Sequence, residues 1–423
     1  MFNFLIQFPN FVTNNGDHAI IKSMCKSIYN KFPDSKITVL FNHPKQDALL
    51  NSKTKKVYGN LFKIEGRKSH SIFLALEYIF KTIQYLIWIK WKFIPIDVNA
   101  KTILNLYKKA DLIIFAGGGY LGGRYRNLQH VLIPMYIAKS LGKKIYLSGV
   151  TIEPTNKFLV KAILSFVLNR IDLITTRESD SLSVLNSLKI KTKSYLTADY
   201  ALLLGQNTID EGWNLLNDNR VQKTDKIKIG LSVKDWVQGF TVPTISKSPR
   251  ISNDIMVDVI EEILEKFDSI IILFPFAKTP TYDDLLIGKS LLNKVKKIFR
   301  DRIFLITNDY QPEQLKSMIG NMDIFIGSRF HSVIFATSMH VPTISISDMQ
   351  KNQGFMKMLS LENWHLNFSS LTVEELVKTT QKLLNEKKFV KKIIEDNLPK
   401  LQDDARKNVD YIEELFTKNF KTN

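Results

Sequence analysis

Apolar strand patterns alternate with helix-length segments along most of the chain, and this alternation restricts the fold more than any other sequence feature. In the second half, the predicted strands are 227–233, 270–274, 303–306, 324–326 and 343–346. Strands separated by helices pair in parallel, with right-handed crossovers. A chain of 423 residues is also longer than one hydrophobic core usually supports. We therefore predict an α/β protein with two Rossmann-like domains that face a cleft.

A polar stretch rich in Asn and Asp, from Gly205 to Lys226, is the predicted linker. It separates an N-terminal domain at 1–205 from a C-terminal domain at 206–385. Residues 386–423 are rich in Lys, Glu and Leu, which predicts helices. We expect these helices to pack back on the first domain.

Positive charge is concentrated in the first half of the chain. The net charge is +18, and residues 1–200 contain 29 Lys and Arg against 12 Asp and Glu, whereas residues 201–423 contain 30 against 29. Such a charge distribution favours an anionic partner, whether nucleic acid, anionic lipid or a pyrophosphate-bearing substrate.

Cysteine and histidine usage argues against disulfides and structural metal sites. The one cysteine, Cys25, lies in an apolar helical pattern and is interpreted as a buried structural thiol. The seven histidines are scattered, so no metal site is expected. The N-terminus lacks the pattern of a secretory signal, and no uncharged apolar run reaches ~18 residues. We therefore expect a cytoplasmic location and no membrane-spanning helix.

Residues 71–95 form an apolar and aromatic helical pattern whose narrow polar stripe consists of Glu77, Lys81 and Gln84. Such a helix is either buried or lies in a membrane interface, where the Trp and Lys residues near its end would suit the headgroup level. The sequence leaves both interpretations open. The adjacent positive charge favours peripheral membrane contact.

The most reactive side chains follow the predicted strand 324–326. After the turn at Gly327 and Ser328, Arg329, Phe330 and His331 begin a helix. Arginine offers a planar fork that matches a carboxylate or phosphate, and histidine exchanges protons near neutral pH. The alternative is a local salt bridge of Arg329 and a helix cap by His331. The carboxyl end of a parallel strand, where open α/β sheets bind ligands, favours a functional site.

A second strand end is the turn Asn15-Gly16-Asp17-His18, which opens a helix. Asp17 is either a helix cap or a general base that takes a proton from a hydroxyl group. His18 adjoins it and is a candidate for binding.

A glycine run at 117–122 follows a third predicted strand. It contains the formal pattern of a dinucleotide-binding loop. The next strand ends in Ser148-Gly149 instead of an acid that could hold a ribose, so we reject NAD binding. Glycines let the backbone approach a ligand closely, so we expect this run to line the cleft.

Arg177 begins a helix after a fourth strand. It either pairs locally with Glu178 or Asp180, or presents its guanidinium to a ligand. Lys234 and Lys351 follow two strands of the second domain and are further candidates for holding an anion.

The motifs at Arg329-Phe330-His331, Asn15–Asp17, Gly117–Tyr120 and Arg177–Ser179 resemble the polysaccharide pyruvyl transferase family, over about residues 1–360. Three positions depart from the family pattern. These are Asp199-Tyr200-Ala201 in place of Asp-Pro-Ala, Lys234 in place of Arg, and Ser347-Asp348-Met349 in place of an aromatic start before Lys351 and Gly354.

The resemblance implies a GT-B-like fold with an acceptor-side first domain, a donor-binding second domain and a C-terminal helix that crosses back to the first. It implies transfer of the enolpyruvyl unit of phosphoenolpyruvate onto sugar hydroxyls. The product would be a pyruvate ketal on a capsular polysaccharide, an exopolysaccharide or its lipid-pyrophosphate-linked precursor. No cofactor, metal or nucleic acid is expected, and the enzyme would work at the inner face of the cell membrane.

The resemblance also implies roles for individual residues. His331 is the expected general acid and Asp17 the expected general base. The expected donor-binding residues are Arg329, Arg177, Lys234, Ser328, Phe330 and Lys351. The expected cleft and acceptor-binding residues are Asn15, Gly16, His18, Gly117, Gly118, Gly119 and Tyr120.

Two alternatives belong to other classes of protein. A GT-B glycosyltransferase would need a group that grips the ribose of a nucleotide sugar, and no acid after Pro342 is a convincing candidate. A non-catalytic binder of anionic lipid or nucleic acid would use the basic first half, but would need neither the glycine loop nor the Arg-x-His motif.

Overall fold

The structure is a computed structural model that describes residues 1–8, 13–42, 50–62, 72–92, 94–122, 128–232, 234, 251–278 and 283–417. Three predicted segments reach beyond these ranges. Val233, residues 71 and 93 of the predicted 71–95 helix, and residues 418–423 lie outside the described residues.

Strands and helices alternate through the described residues. In chain order, the strands are β1 (Asn3–Phe8), β2 (Thr13–Asn14), β3 (Lys36–Phe41), β4 (Lys55–Tyr58), β5 (Leu112–Ala116), β6 (Lys144–Val150), β7 (Leu173–Thr176), β8 (Ser194–Leu196), β9 (Ile227–Ser232), β10 (Ser269–Phe274), β11 (Ala277–Lys278), β12 (Ile303–Leu305), β13 (Ile324–Gly327), β14 (Thr343–Ile346) and β15 (His365–Leu366). The α-helices are α1 (Asn15–Lys31), α2 (Ile72–Trp91), α3 (Val98–Lys109), α4 (Gln129–Ser140), α5 (Phe158–Leu168), α6 (Ser179–Ser187), α7 (Ile209–Asp218), α8 (Ile251–Lys266), α9 (Asp284–Lys294), α10 (Pro312–Ile319), α11 (Phe330–Ser338), α12 (Gln350–Met358) and α13 (Val373–Thr417).

The chain forms two compact units. Unit 1 comprises Met1–Phe11, Ile20–Tyr200 and Asp404–Asn423, and unit 2 comprises Val12–Ala19 and Ala201–Asp403. The sheet of unit 1 has the parallel order β4-β3-β1-β5-β6-β7-β8. The sheet of unit 2 has the parallel order β12-β10-β9-β13-β14-β15. The prediction of an α/β protein with two Rossmann-like domains is confirmed.

The central strands are buried along their whole length because helices cover both faces of a parallel sheet. Every residue of β5 in unit 1 is buried, and so is every residue of β10, β13 and β14 in unit 2. Polar side chains of these strands therefore occur mainly at the strand ends, where the chain leaves the core.

Each sheet has one point where the strand order reverses. In unit 1 the chain moves outward from β1 through β3 to β4, then returns to the other side of β1 as β5. In unit 2 it moves from β9 through β10 to β12, then returns beside β9 as β13. Open α/β sheets bind ligands at the carboxyl ends of the strands at such a switch point. The fold therefore predicts ligand sites after β1 and β5, and after β9 and β13.

The last helix, α13, begins in unit 2, and its residues from Asp404 onward belong to unit 1. This agrees with the predicted helix that crosses back to the first domain. In unit 1, Asn408 is fully buried and its Oδ1 accepts hydrogen bonds from the hydroxyls of Thr175 (2.6 Å) and Thr197 (2.9 Å). Its Nδ2 donates to the Ala198 carbonyl oxygen at 3.0 Å. The amide thus ties α13 to the end of β7 and to the segment after β8.

Helix α2 has one buried face and one exposed face. Tyr78, Tyr85 and Trp88 are at most 8% exposed and belong to the core of unit 1. Trp88 therefore packs inside, and of the two tryptophans that the sequence suggested for a headgroup position only Trp91 is exposed. No helix among the described residues combines the length and the apolar character needed to cross a membrane.

Candidate functional site

The switch point of unit 2 is built around Ser232, the last residue of β9. Its Oγ accepts hydrogen bonds from the backbone N–H groups of Ser328 (2.8 Å) and Arg329 (3.3 Å), just after β13. The Ser328 hydroxyl donates to the Ser232 carbonyl oxygen at 2.6 Å, and Ser332 Oγ lies 2.8 Å from Ser232 Oγ. This buried serine fixes the turn that presents Arg329. Ser232 was not among the residues predicted from the sequence, although its position at the end of a central strand could have indicated it.

Arg329 is held by two hydrogen bonds to Asp284, in the first turn of α9. Its Nε donates to Oδ2 at 3.1 Å, and its Nη2 contacts Oδ1. Asp284 Oδ2 also accepts the backbone N–H groups of Phe276 (3.1 Å) and Ala277 (2.9 Å). The Asp284 side chain is fully buried, whereas that of Arg329 is 23% exposed. Two contacts with a fully buried carboxylate therefore fix the plane of the guanidinium.

The sequence left open a local salt bridge of Arg329, but the partner in the structure, Asp284, lies 45 residues away in the sequence. The pair does not exclude a ligand, because the guanidinium carries five N–H donors and part of the side chain remains exposed.

Two lysines share the electrostatic environment of Arg329. Lys234 is 7% exposed, and its pKa is lowered well below the usual value, first by burial and then by the positive charges of Arg329 and Lys351. The carboxylates of Asp284 and Asp348 act in the opposite direction on the same pKa. Three basic side chains and two carboxylates thus interact at one edge of the unit 2 sheet. Such a group favours a bound anion, because an anion would relieve the mutual repulsion of the cations.

Phe330 connects this edge to His331. Its ring lies 5.4 Å below Lys351 Nζ and 5.3 Å from the His331 ring, edge to face, and is 7% exposed. The aromatic side chain thus separates the cations from the core and limits the orientations of the imidazole.

His331 packs directly against Gly16. A Cβ atom at Gly16 would lie 1.9 Å from His331 Nδ1 and 2.5 Å from His331 Cβ, so only glycine fits there. The turn that contains Gly16 is docked on unit 2, since β2 pairs antiparallel with β11 and Asn15 N donates to the Phe276 carbonyl oxygen at 3.0 Å. Two segments more than 300 residues apart therefore meet at the imidazole.

The cap of helix α1 is Asn14 and not Asp17. Asn14 Oδ1 accepts the backbone N–H of Asp17 at 2.7 Å, and Asn14 Nδ2 donates to Asp17 Oδ2. The Asp17 side chain is thereby fixed next to Gly16, and it is 4% exposed. The residue proposed as a base thus lies one position after the glycine that contacts the His331 imidazole.

The glycine loop lies at the switch point of unit 1, after β5. A Cβ atom at Gly117 would lie 2.2 Å from the Gly149 carbonyl oxygen, so this glycine is needed for close packing of two backbones. Gly118 accepts a hydrogen bond from Thr151 N at 3.0 Å and is buried, whereas Gly119 is exposed. Tyr120 is buried, and its hydroxyl donates to the Ala116 carbonyl oxygen. Of the four predicted cleft residues in this loop, Gly119 alone is exposed.

Arg177 lies in a buried ion-pair network of unit 1. Its Nη1 donates to Asp199 Oδ2, its Nε donates to Thr151 Oγ1 at 2.8 Å, and the same Nε lies 3.6 Å from Glu178 Oε2. The side chains of Arg177, Asp199 and Glu178 are at most 2% exposed. The sequence suggested Glu178 or Asp180 as the partner, and the structure adds Asp199. Two positions that carried the family resemblance, Arg177 and Asp199, thus bind each other.

The predicted site residues fall into two groups. The residues that belong to unit 2 are Asn15, Gly16, Asp17, His18, Lys234, Ser328, Arg329, Phe330, His331 and Lys351. The residues that belong to unit 1 are Gly117, Gly118, Gly119, Tyr120 and Arg177. The sequence assigned the turn at 15–18 to the first domain, but its pairing with β11 groups it with the second. The individual roles of these residues remain predictions.

Comparison with solved structures defines the class of fold. A putative UDP-N-acetylglucosamine 2-epimerase from Listeria monocytogenes is similar, with a TM-score of 0.62, 11% sequence identity and coverage of 99% of this chain and 98% of that chain. A glycosyltransferase from Rickettsia africae has a TM-score of 0.57 and 13% identity, with 100% of both chains covered. At these identities the similarity shows the fold alone, which is the two-domain fold of GT-B glycosyltransferases and related epimerases.

Sequence comparison gives the family. The model of the polysaccharide pyruvyl transferase family matches residues 14–348, from the Asn14 cap to Asp348, and the chain belongs to this family. The amylovoran biosynthesis protein AmsJ of Erwinia amylovora is 23% identical over 372 residues, which cover 85% of this chain and 86% of that protein. The chain is thus a transferase of polysaccharide biosynthesis.

Proposed function

We propose that this chain transfers the enolpyruvyl unit of phosphoenolpyruvate to sugar hydroxyls and forms a pyruvate ketal on a polysaccharide or its lipid-linked oligosaccharide precursor. Family membership supports the reaction class. The observation that supports the proposal is the contact of His331 with Gly16, the residue before Asp17, in the same unit as Arg329 and the two lysines.

The donor is a small anion with two charged ends, a carboxylate and a phosphate. Lys234, Lys351 and Arg329 together supply the positive charge that such an anion needs. Asp284 keeps the Arg329 fork in a defined plane, and a fixed plane suits two-point binding of a carboxylate or phosphate. Ser328 lies in the adjoining turn and supports the position of this fork.

The proposed reaction has two steps at the central carbon of the donor, an addition followed by a displacement. One sugar oxygen bonds to that carbon while the methylene carbon takes a proton, and Asp17 accepts the proton of the attacking hydroxyl. His331 supplies the methylene proton. The oxygen of a second hydroxyl of the same sugar then bonds to the central carbon and displaces the phosphate. The bond between that carbon and the phosphate oxygen breaks with its electron pair going to the phosphate, which also takes the proton of the second hydroxyl. The products are the cyclic ketal and inorganic phosphate.

We propose a structural role for Arg177 in place of the donor binding that the sequence suggested. Binding a donor through its guanidinium would require the buried pair with Asp199 to open. A buried charge that loses its partner is costly, about 3–5 kcal/mol. We therefore assign the anionic groups of the donor to the unit 2 cations. Arg177 then holds the end of β7 together with Thr151 and Asp199.

The experiment combines ligand-induced thermal stabilisation with product analysis by mass spectrometry. Phosphoenolpyruvate should stabilise the chain, and nucleotide sugars should not. His331→Asn should abolish ketal formation on a lipid-linked glycan and retain the stabilisation by phosphoenolpyruvate. His340→Asn, a matched control two residues beyond the end of α11, should retain both properties.

Normal turnover in His331→Asn would refute the assigned acid. Stabilisation by a nucleotide sugar alone would instead support a GT-B glycosyltransferase. Phosphate release without a glycan product would support phosphoenolpyruvate as the donor and refute the tested glycan as the acceptor.

A further inference from the structure

Helix α2 presents an apolar stripe on the face opposite to its buried residues. From Glu77 onward, the side chains on the outer face are large and apolar, and they recur at helical spacing. The exposed fractions are 56% for Ile79, 69% for Phe80, 50% for Ile83 and 56% for Trp91. A helix that only packs on a core would carry polar residues there.

Helix α5 shows the same arrangement, which the sequence analysis did not detect. Its inner face is formed by Leu164, Val167 and Leu168. The outer face is apolar as well, with exposed fractions of 85% for Phe158, 68% for Leu159, 45% for Ile163 and 48% for Phe166. The nine residues from Phe158 to Phe166 thus expose four large apolar side chains, which is unusual for a surface helix.

The two exposed stripes belong to the same side of unit 1. Helix α4 contacts both α2 and α5. All three helices bury one face in a single core cluster, which includes Tyr85 of α2, Met135 of α4 and Leu168 of α5. Because the buried faces share one core, the opposite faces point away from the sheet in the same general direction. We name the exposed apolar residues of α2 and α5 the α2–α5 surface.

Positive charge surrounds the α2–α5 surface. Lys90 and Lys92 lie at the end of α2, Lys157 and Lys161 at the start of α5, and all four are exposed. Arg170 lies just beyond α5, with its guanidinium 3.6 Å from the centre of the Phe166 ring. The single acid in the sequences of the two helices, Glu77, pairs with Lys81 at 2.9 Å.

We propose that the α2–α5 surface docks on an anionic lipid bilayer. Apolar side chains would enter the boundary between headgroups and acyl chains, and the flanking cations would contact the anionic headgroups. A second copy of the chain is a poorer occupant, because it would bring the same cations face to face. The inference does not depend on the donor chemistry, since none of the residues of this surface belongs to the proposed site.

The test is co-sedimentation of the full chain with phosphatidylcholine vesicles that contain or lack phosphatidylglycerol. The chain should sediment with the anionic vesicles, and Phe158→Ser/Leu159→Ser should weaken the apparent partitioning by about tenfold or more. The matched control is Ile298→Ser/Phe389→Ser, which removes two apolar side chains of similar exposure, 76% and 63%, from unit 2. This control should bind as the unchanged chain does.

Three outcomes would overturn the proposal. The first is equal sedimentation with and without phosphatidylglycerol, and the second is equal weakening by both double variants. In the third, light scattering would show a dimer that Phe158→Ser/Leu159→Ser converts to a monomer, with no binding to vesicles. That result would assign the surface to a second copy of the chain.

Discussion

Gly16→Ala is the most specific perturbation of the proposed site. The new methyl carbon would lie 1.9 Å from His331 Nδ1 and 2.5 Å from His331 Cβ, whereas ordinary contacts begin at 3.4 Å. Because the overlap includes Cβ, rotation of the ring alone does not remove it. The imidazole must retreat by roughly 1.5 Å, and a misplacement of about 1 Å costs about 100-fold in rate. We expect at least that loss of turnover, and a loss of about 1–3 kcal/mol in the free energy of unfolding from overpacking.

The assay distinguishes a displaced His331 imidazole from a loss of donor binding. Turnover is measured as ketal formed per enzyme, and donor binding as thermal stabilisation by phosphoenolpyruvate. Turnover should fall while the stabilisation remains, since the unit 2 cations are not displaced. Gly205→Ala is the control, because a Cβ atom there meets nothing within 4 Å. It should match the unchanged chain in both measurements.

A double variant tests the contact without any reference to catalysis. His331→Ala removes the ring, so Gly16→Ala should cost much less stability in that background than alone. Additive stability losses would refute the contact between Gly16 and His331. Turnover of Gly16→Ala within about twofold of the unchanged chain would refute the requirement for that contact in catalysis.

Three further predictions concern charged and titratable groups. Asp284→Asn should lower the free energy of unfolding by about 2–4 kcal/mol and weaken phosphoenolpyruvate binding, because Arg329 loses its buried counter-charge. The control is Asp283→Asn, at a neighbouring helix cap that Asn replaces well, and it should change stability by less than ~0.5 kcal/mol in urea unfolding. Equal effects of the two substitutions would contradict the pairing of Asp284 with Arg329. Asp199→Asn should cost about 3–5 kcal/mol, because it leaves Arg177 without this counter-charge in the core. By the same measurement, Asp396→Asn, which breaks the exposed pair with Lys392, should leave the free energy of unfolding almost unchanged. Burial lowers the pKa of His130 from 6.5 to about 4, so the unfolded chain binds a proton that the folded chain does not, and the stabilisation present above pH 6.5 is lost as the pH falls towards 4. The full contribution of this pKa difference to the free energy of unfolding is about 3 kcal/mol. The His130→Gln variant should therefore lose less stability than the unchanged chain between pH 7 and 4.5. An identical loss would show that His130 does not titrate in this way.

The sequence predicted those features that depend on local pattern. β5, β10 and β13 are continuous apolar runs because both faces of a parallel sheet are covered. Arg329 and His331 follow β13 directly, and their position at a strand end could be read from the order of residues. The polar partners at the ends of the strands could not be read in this way.

Asp284 is 45 residues from Arg329 in the sequence, and nothing near either residue indicates the pair. Strand β11 has two residues, so no periodicity could reveal that it receives the turn at Gly16. The exposed face of α5 also escaped detection, because a short apolar run fits a buried helix as well as an exposed one. Long-range contacts, which only the folded chain brings together, decide these features.

The turn at Val12–Ala19 belongs to unit 2, although unit 1 contains the chain on both sides of it. Helix α1 is therefore shared, with its first residues in one unit and the rest in the other. Neither unit is a single continuous segment of the chain. A cut after Tyr200, the apparent boundary, would leave Gly16 in one fragment and His331 in the other. Each fragment would keep its own parallel sheet, and the contact between Gly16 and His331 would be restored only by mixing the two.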